Sequence, residues 1–502
     1  MLETLDLQVK LAKSAYKARK KQLQIELARL QREAFNARLG IIVLIEGWEL
    51  SGKALTIQFL NEFLDPRGFQ VHAMYPPTQE ERLHPFVRRY MLRMPAYGST
   101  AFFQRSWYHL VLDAQVRGDG TFDPHTVYQE IRQYERMLTD DGYLIFKFWL
   151  HIDKKEQRKR RDDFDRMSFR RLIGPDDPEQ HRYYDEYAQA AEEMFTATST
   201  ADSPWHLIPA NDRRYARVAV ANRLVQRIQM ELHKRAQNAI AQEPLRPRPL
   251  PPLERPSVMD KVDLSVTMEK KEYKKRLKKA KKKVLDAQFQ TYQHQRGVIF
   301  VFEGWDAGGK GGAIRRLTSH LDPRYFRVHP TAAPRGEEVD HHYLWRFWKE
   351  ICPRGQWAIF DRSWYGRVLV ERVEQFARQD EWERAYREIN EFERSLYESG
   401  YLIFKYWIHI SPEEQLKRFE ERERVEYKRH KITEEDWRNR KKWLRYEEAA
   451  DDMFRRTSTT IAPWHIIPGN DKPYARVKIL ENFIQGVNEG LQRPFITHKR
   501  AF

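Results

Sequence analysis

The chain repeats itself, and that repeat limits its folds more than any other feature. Residues 41 to 53, IIVLIEGWELSGK, return at 298 to 310 as VIFVFEGWDAGGK, and FFQRSWY at 102 to 108 returns at 359 to 365 as IFDRSWY. YLIFKFWLHI at 143 to 152 comes back at 401 to 410 as YLIFKYWIHI, and SPWHLIPANDRRYARV at 203 to 218 comes back at 462 to 477 as APWHIIPGNDKPYARV. The offset is 257 residues at the first pair and 259 at the last. So few insertions over so long a span imply two similarly folded units rather than a short recurring motif. A chain of 502 residues gives each unit room for a sizeable core.

Between the units lies PLRPRPLPPLERP, residues 244 to 256, whose prolines remove backbone donors and favour an extended segment. The domain boundary is expected there, with one unit over 1–243 and the other over 257–502. Each unit opens with a basic, helix-prone arm. In the second unit, strands are expected at Val298–Phe302, Phe326–His329, Trp357–Phe360, Tyr401–Ile410 and Trp464–Ile467. Helices are expected from Lys310 to His320 and through HHYLWRFWKEI. Continuous apolar strands between helices predict an α/β fold with a parallel sheet covered on both faces, in both copies.

In the second copy, Gly304 and the pair Gly309–Lys310 have the G-x4-G-K spacing of a phosphate-binding P-loop, between a strand and a helix. Gly304, Gly308, Gly309 and Gly311 let backbone N–H groups turn toward phosphate oxygens, while the helix points its positive end at them. Lys310 adds a mobile cation. Gly311 stands where such loops usually carry a Ser or Thr that holds Mg²⁺. Two carboxylates are placed to take over that role: Asp306 in the loop, and Asp361 at the end of the strand WAIF. The sequence leaves open whether Asp306 is a metal ligand, a base, or both.

Arg362 and Arg367, in DRSWYGR, offer planar forks of donors to phosphate. Trp364 and Tyr365 are expected to pack in the core, and Glu371 either meets a phosphate-facing arginine or contacts a nucleotide. In the charged run at 411 to 431, Arg418 and Arg422 share one helical face. That helix is either a lid over the phosphates or a salt-bridged surface helix.

The first copy is weakened at these positions. Glu49 replaces Asp306, Gln104 replaces Asp361, and Arg367 has no counterpart, although Lys53 and Arg105 remain. A carboxylate displaced by about an ångström can cost on the order of a hundredfold in rate. The first copy is therefore expected to be structural, or to anchor a long polyanion.

The net charge of +17 attracts polyanions in general. The basic run at 270 to 283 is either a solvated helix or a polyanion or subunit contact. No run of 18 apolar residues occurs, the amino-terminal segment lacks a signal-peptide core, and Cys352 is the single cysteine. A cytoplasmic location is expected, with no membrane partner.

In order, EGWDAGGKGG, FDRSWYGRVLVERV, KYWIHIS-EEQ-KRF and PWHIIP resemble the polyphosphate kinase 2 family, in its tandem class of polyphosphate:AMP phosphotransferases. The resemblance implies two tandem three-layer αβα domains of P-loop kinase type with helical lids. It also implies Mg²⁺-dependent transfer (Mn²⁺ being an alternative) from inorganic polyphosphate to AMP, giving ADP, with the competent site in the second copy. By similarity, Asp306, Lys310, Asp361 and Arg362 are catalytic, and Arg418 and Arg422 contact phosphates from the lid. With no phosphoenzyme residue evident at the loop, the transfer is expected to be direct and in line. Nucleic acid is not an expected partner, and the basic arms are plausible contacts in a homo-oligomer. Two other classes remain: a nucleoside-triphosphate-dependent nucleotide kinase of similar fold, and a non-enzymatic polyanion-binding protein.

Overall fold

The computed structural model describes residues 1–118, 123–165, 178–241, 257–425, 432 and 434–493. The proline-rich segment at 244 to 256, and residues 426 to 431 at the end of the expected lid run, lie outside the described residues.

Each half of the chain builds one five-stranded sheet. In the first half the strands are β1 (Ile41–Gly47), β2 (Phe69–Ala73), β3 (Thr100–Gln104), β4 (Leu144–His151) and β5 (Trp205–Pro209). In the second they are β6 (Gly297–Gly304), β7 (Phe326–Pro330), β8 (Trp357–Asp361), β9 (Tyr401–His409) and β10 (Trp464–Pro468). The orders are β2-β3-β1-β4-β5 and β7-β8-β6-β9-β10, and the registered pairs are parallel. The α/β architecture read from the apolar strands is the one found. Strands β1, β4 and β9 are buried along their whole length, as a sheet covered on both faces requires. The edge strands β2 and β7 alternate with exposed residues, and β7 ends on Pro330, whose missing donor costs nothing at an edge.

The register determines where the chemistry sits. Phe302 in β6 lies opposite Asp361 in β8, two residues before β6 ends at Gly304. The chain leaves β6 toward β7 on one side and later returns as β9 on the other. The loop after β6 therefore occupies the crevice at the carboxyl ends of the strands, where such sheets bind ligands.

The basic arms are helices, Lys13–Asn36 and Lys270–Gln293, packed against the last helix of their own half, Arg213–Ala241 and Lys472–Gln492. In the second arm Ala280, Val284 and Ala287 are buried, which accounts for one face of the lysine-rich run. The expected helix at 310 ends at Thr318, two residues short of His320.

Equivalent helices of the two halves meet each other. Pro124–Asp140 packs on Gln379–Glu398, and Arg88–Met91 on Trp345–Glu350. Such pairing of like with like is the geometry of a two-fold interface, here within one chain. One hydrophobic cluster runs through both halves, joining Val87 and Met137 to Leu344, Trp348 and Phe392. Among the described residues, no helix is long and apolar enough to cross a membrane.

Candidate active site

Strand β6 turns sharply at Gly304, where φ is 133° and an added Cβ would lie 2.5 Å from the Ile408 carbonyl oxygen. Only glycine fits there. Gly309, at φ 115°, opens the helix Lys310–Thr318, and nothing lies within 4 Å of where a Cβ would stand at Gly309 or Gly311. The space over the helix start is open. Gly308 plays another part: its N–H closes the loop on the Trp305 carbonyl at 2.9 Å. Lys310 folds back, its Nζ donating to the carbonyls of Gly304 at 2.6 Å and Trp305 at 3.3 Å.

Asp306 gathers the site. Its Oδ1 accepts from Arg362 at 2.8 Å and its Oδ2 from Asn439 at 2.9 Å, while Gln415 donates to its backbone carbonyl at 3.1 Å. Burial opposes ionisation of Asp306. The charges of Lys310 and Arg362 and these hydrogen bonds outweigh it, holding the carboxyl below its usual range. Burial lowers Lys310, with Asp306 pulling the other way.

Arg362 sits at φ 63°, an unusual backbone for a residue with a side chain. Its N–H is tied to the Phe302 carbonyl at 3.0 Å. The next residue, Ser363, is clamped through both N and Oγ at 2.8 Å onto the buried carboxylate of Glu303. The carboxylate of Asp361, the residue before Arg362, has no hydrogen bond or ion pair among the described residues, yet its charge acts on both Lys310 and Arg362.

The remaining candidates divide. Arg367 stacks over the Tyr343 ring at 4.6 Å and pairs with Glu371 at 3.2 Å, so these two expected site residues meet each other. Arg418 points inward. Its Nε pairs with Glu414 at 2.6 Å, and its terminal nitrogens donate to the carbonyls of Ala307, Gly308, Gly469 and Asn470 at 2.7–2.9 Å. A guanidinium has five N–H donors, and all five are committed here. Arg418 thus braces the loop from beneath, and the expected contact from a lid to phosphate does not suit its position. Arg422 lies near the end of the same helix, partly exposed. Trp364 and Tyr365 are buried, and Tyr365 bonds to the buried Lys405–Glu393 pair.

These groups surround a cleft of about 610 Å³, open mouth included, lined by Asp306, Arg362, Gly366, Asn439 and Trp443 among others. Asn439, Gln415, Glu303 and the stack of Trp443 on Trp305, with centroids 3.6 Å apart, were not anticipated from sequence. Of these, only Glu303 had a visible signal: EGW recurs in both copies, and a glutamate ending an apolar strand must find buried partners.

The first copy reproduces the scaffold and rewires the charges at the loop. Arg160 braces Leu50, Ser51, Ala210 and Asn211 as Arg418 does their counterparts, and Tyr184 stacks on Trp48 at 3.9 Å. The longer side chain of Glu49, however, reaches both cations: Arg105 at 2.9 Å and Lys53 at 3.4 Å. Although burial raises its pKa, these charges bring it down to about 2. Gln104, the counterpart of Asp361 in the repeat, supplies no charge.

Two segments of this chain, 10–236 and 267–493, match the family model described as polyphosphate kinase 2. The chain belongs to the polyphosphate kinase 2 family. It carries the family domain twice, in tandem. Among curated members, the chain is 42% identical over 471 residues to a polyphosphate:AMP phosphotransferase of Pseudomonas syringae pv. tomato, covering 92% of each chain. It is 36% identical to another of that name from Acinetobacter johnsonii, covering 92% of this chain and 95% of that one. A crystal structure described as a putative polyphosphate kinase 2 from Pseudomonas aeruginosa PA01 superposes with a TM-score of 0.86 at 38% identity. It covers 98% of this chain and 100% of its own. Both polyphosphate kinase 2 domains thus lie within the matched span.

Proposed function

We propose that this chain transfers a phosphoryl group from inorganic polyphosphate to AMP, giving ADP and a shortened polyphosphate, and that the reaction runs in the second copy. The relatives that span nearly its whole length carry that activity in their names. Besides the loss of Asp361 and Arg367 counterparts, one contact distinguishes the copies: Glu49 pairs directly with Lys53, whereas among the described residues Lys310 is hydrogen-bonded to backbone carbonyls. Lys310 is available to leave those carbonyls for a phosphate.

The roles follow from the geometry. The open helix start receives the donor phosphate through backbone N–H groups of the loop. Lys310 and the fork of Arg362 draw charge from the transferring group. Asp306, ionised and held by Arg362 and Asn439, orients the accepting phosphate of AMP. Arg418 keeps the loop carbonyls turned away from the anion. Transfer is direct and in line.

Among the described residues, no group of three or more His, Cys, Asp or Glu side chains forms a metal cage. Mg²⁺ needs fewer protein ligands, since one or two carboxylates suffice when phosphates and water complete the shell. The uncommitted carboxylate of Asp361 fits that part, with Asp306 as second ligand. When bound, the metal would neutralise developing charge on the phosphate oxygens.

The test is to incubate the protein with Mg²⁺, long-chain polyphosphate and AMP or ADP, without ATP, and to resolve the nucleotides by ion exchange. ADP formed from AMP, lost in Asp361→Asn and retained in Gln104→Ala, is the expected result. ATP formed from ADP alone would change the acceptor, and no product from either would discard the reading. Asp306→Asn should abolish turnover while polyphosphate still binds.

A further inference from the structure

A run of neighbouring polar groups, buried or partly buried, extends from Arg367 beside the candidate site of the second copy to the first copy. Arg367 lies over the Tyr343 ring, and beside Tyr343 are His342 and the fully buried carboxylate of Glu388, with His342 Nε2 at 3.4 Å from it. Glu388 accepts from Arg384 Nε at 3.0 Å, and the same guanidinium reaches across the interface to Asp141 Oδ1 at 2.6 Å. Asp141 also takes a hydrogen bond from the Tyr97 hydroxyl, and the Tyr97 N–H is bonded to the Asp340 carbonyl at 2.8 Å. Among the charges that act on the Tyr97 hydroxyl is Arg367 itself. The first copy therefore reaches electrostatically to the arginine that adjoins the cleft of the second.

The device is one-sided. By the repeat, Arg384 corresponds to Thr126, Asp141 to Ser399, and Arg367 to Leu110. The interface pairs like helices, yet this relay exists only where it ends on the competent copy. Resting on the reading of the second copy as the working one, we infer that Asp141 is a positioning residue for Arg367, acting through Arg384, Glu388 and Tyr343. The first copy is in this sense part of the second copy's site.

Groups that act through one another do not add their effects, and a double-mutant cycle reads that directly. In the full chain, kcat for AMP phosphorylation should fall about ten- to a hundredfold in Asp141→Asn. Arg367→Met combined with Asp141→Asn should be no slower than Arg367→Met alone. Arg384→Met attacks the relay from the other side and gives the same cycle should Asp141→Asn fail to fold. Asp140→Asn removes the neighbouring, more exposed pair with Arg387 and should leave kcat unchanged. Multiplying effects of Asp141→Asn and Arg367→Met, or an equal loss in Asp140→Asn, would overturn the inference. If the wild-type chain moves no phosphate from polyphosphate, the functional reading falls, and tripolyphosphate binding by calorimetry judges the relay instead. Asp141→Asn and Arg367→Met should then weaken binding by one shared factor, singly or together, and independent losses would reject the relay.

Discussion

At the scale of single residues, one methylene lets the loop carboxylate of the first copy reach its lysine. Glu49, Lys53 and Arg105 form a buried cluster in which the carboxylate is ionised down to about pH 2. Because this folded-state pKa lies below the unfolded value, the stabilisation is fully present above about pH 4.5 and is lost as pH falls through about 2. Glu49→Gln should therefore lower stability by about 3 kcal/mol at neutral pH. Urea unfolding followed from pH 7 downward should show the gap closing below about pH 4.5. A gap independent of pH would mean that the charge contributes nothing. For Arg418, even the change to Lys should cost both stability and rate, since a point cation cannot serve four carbonyls spread over two loops. A Lys variant with unaltered kcat and unfolding midpoint would contradict the bracing role.

At the scale of elements, the two glycines of the loop make different demands. Gly304 has a positive φ and a carbonyl pressed against it, whereas Gly309 has the positive φ alone. Gly309→Ala should cost about 1–2 kcal/mol, the left-handed penalty, and Gly304→Ala distinctly more. Equal urea midpoints for the two variants would show that the approach of Ile408 is not a constraint. These glycines were legible in the sequence through their spacing, and the strands through their unbroken apolar runs. The position of Asp361 was legible because it ends the apolar strand run WAIF. Asn439 was not, since one asparagine in a charged helix carries no signal and its partner Asp306 lies 133 positions away in the chain. For Arg418 and Arg422, the four-residue spacing indicated a shared face but not which way that face points.

At the scale of the whole molecule, the interface between the copies is as much core as boundary. Leu344, Trp348 and Phe392 of the second copy face Val87, Tyr134 and Met137 of the first across a gap of about 370 Å³. Residues 257–502 expressed alone would expose this apolar face, and light scattering should show self-association or aggregation. A monodisperse monomer would show that the face tolerates water. No periodicity announces this surface, because residues buried between the copies read like any other half-buried helix. The same blindness hid Asp141, whose partner lies 243 positions away.

The backbone at Arg105 has φ 62°, matching the 63° of Arg362, although Gln104 and Glu49 replace the aspartates of the second copy. The substitutions in the first copy change side chains and leave the bent main chain beneath them alike. On the proposed division of labour, Glu49→Asp, Gln104→Asp and Leu110→Arg would give the first copy the missing groups on a frame that still holds their places. The duplication would then hold a second active site in reserve, three substitutions from use.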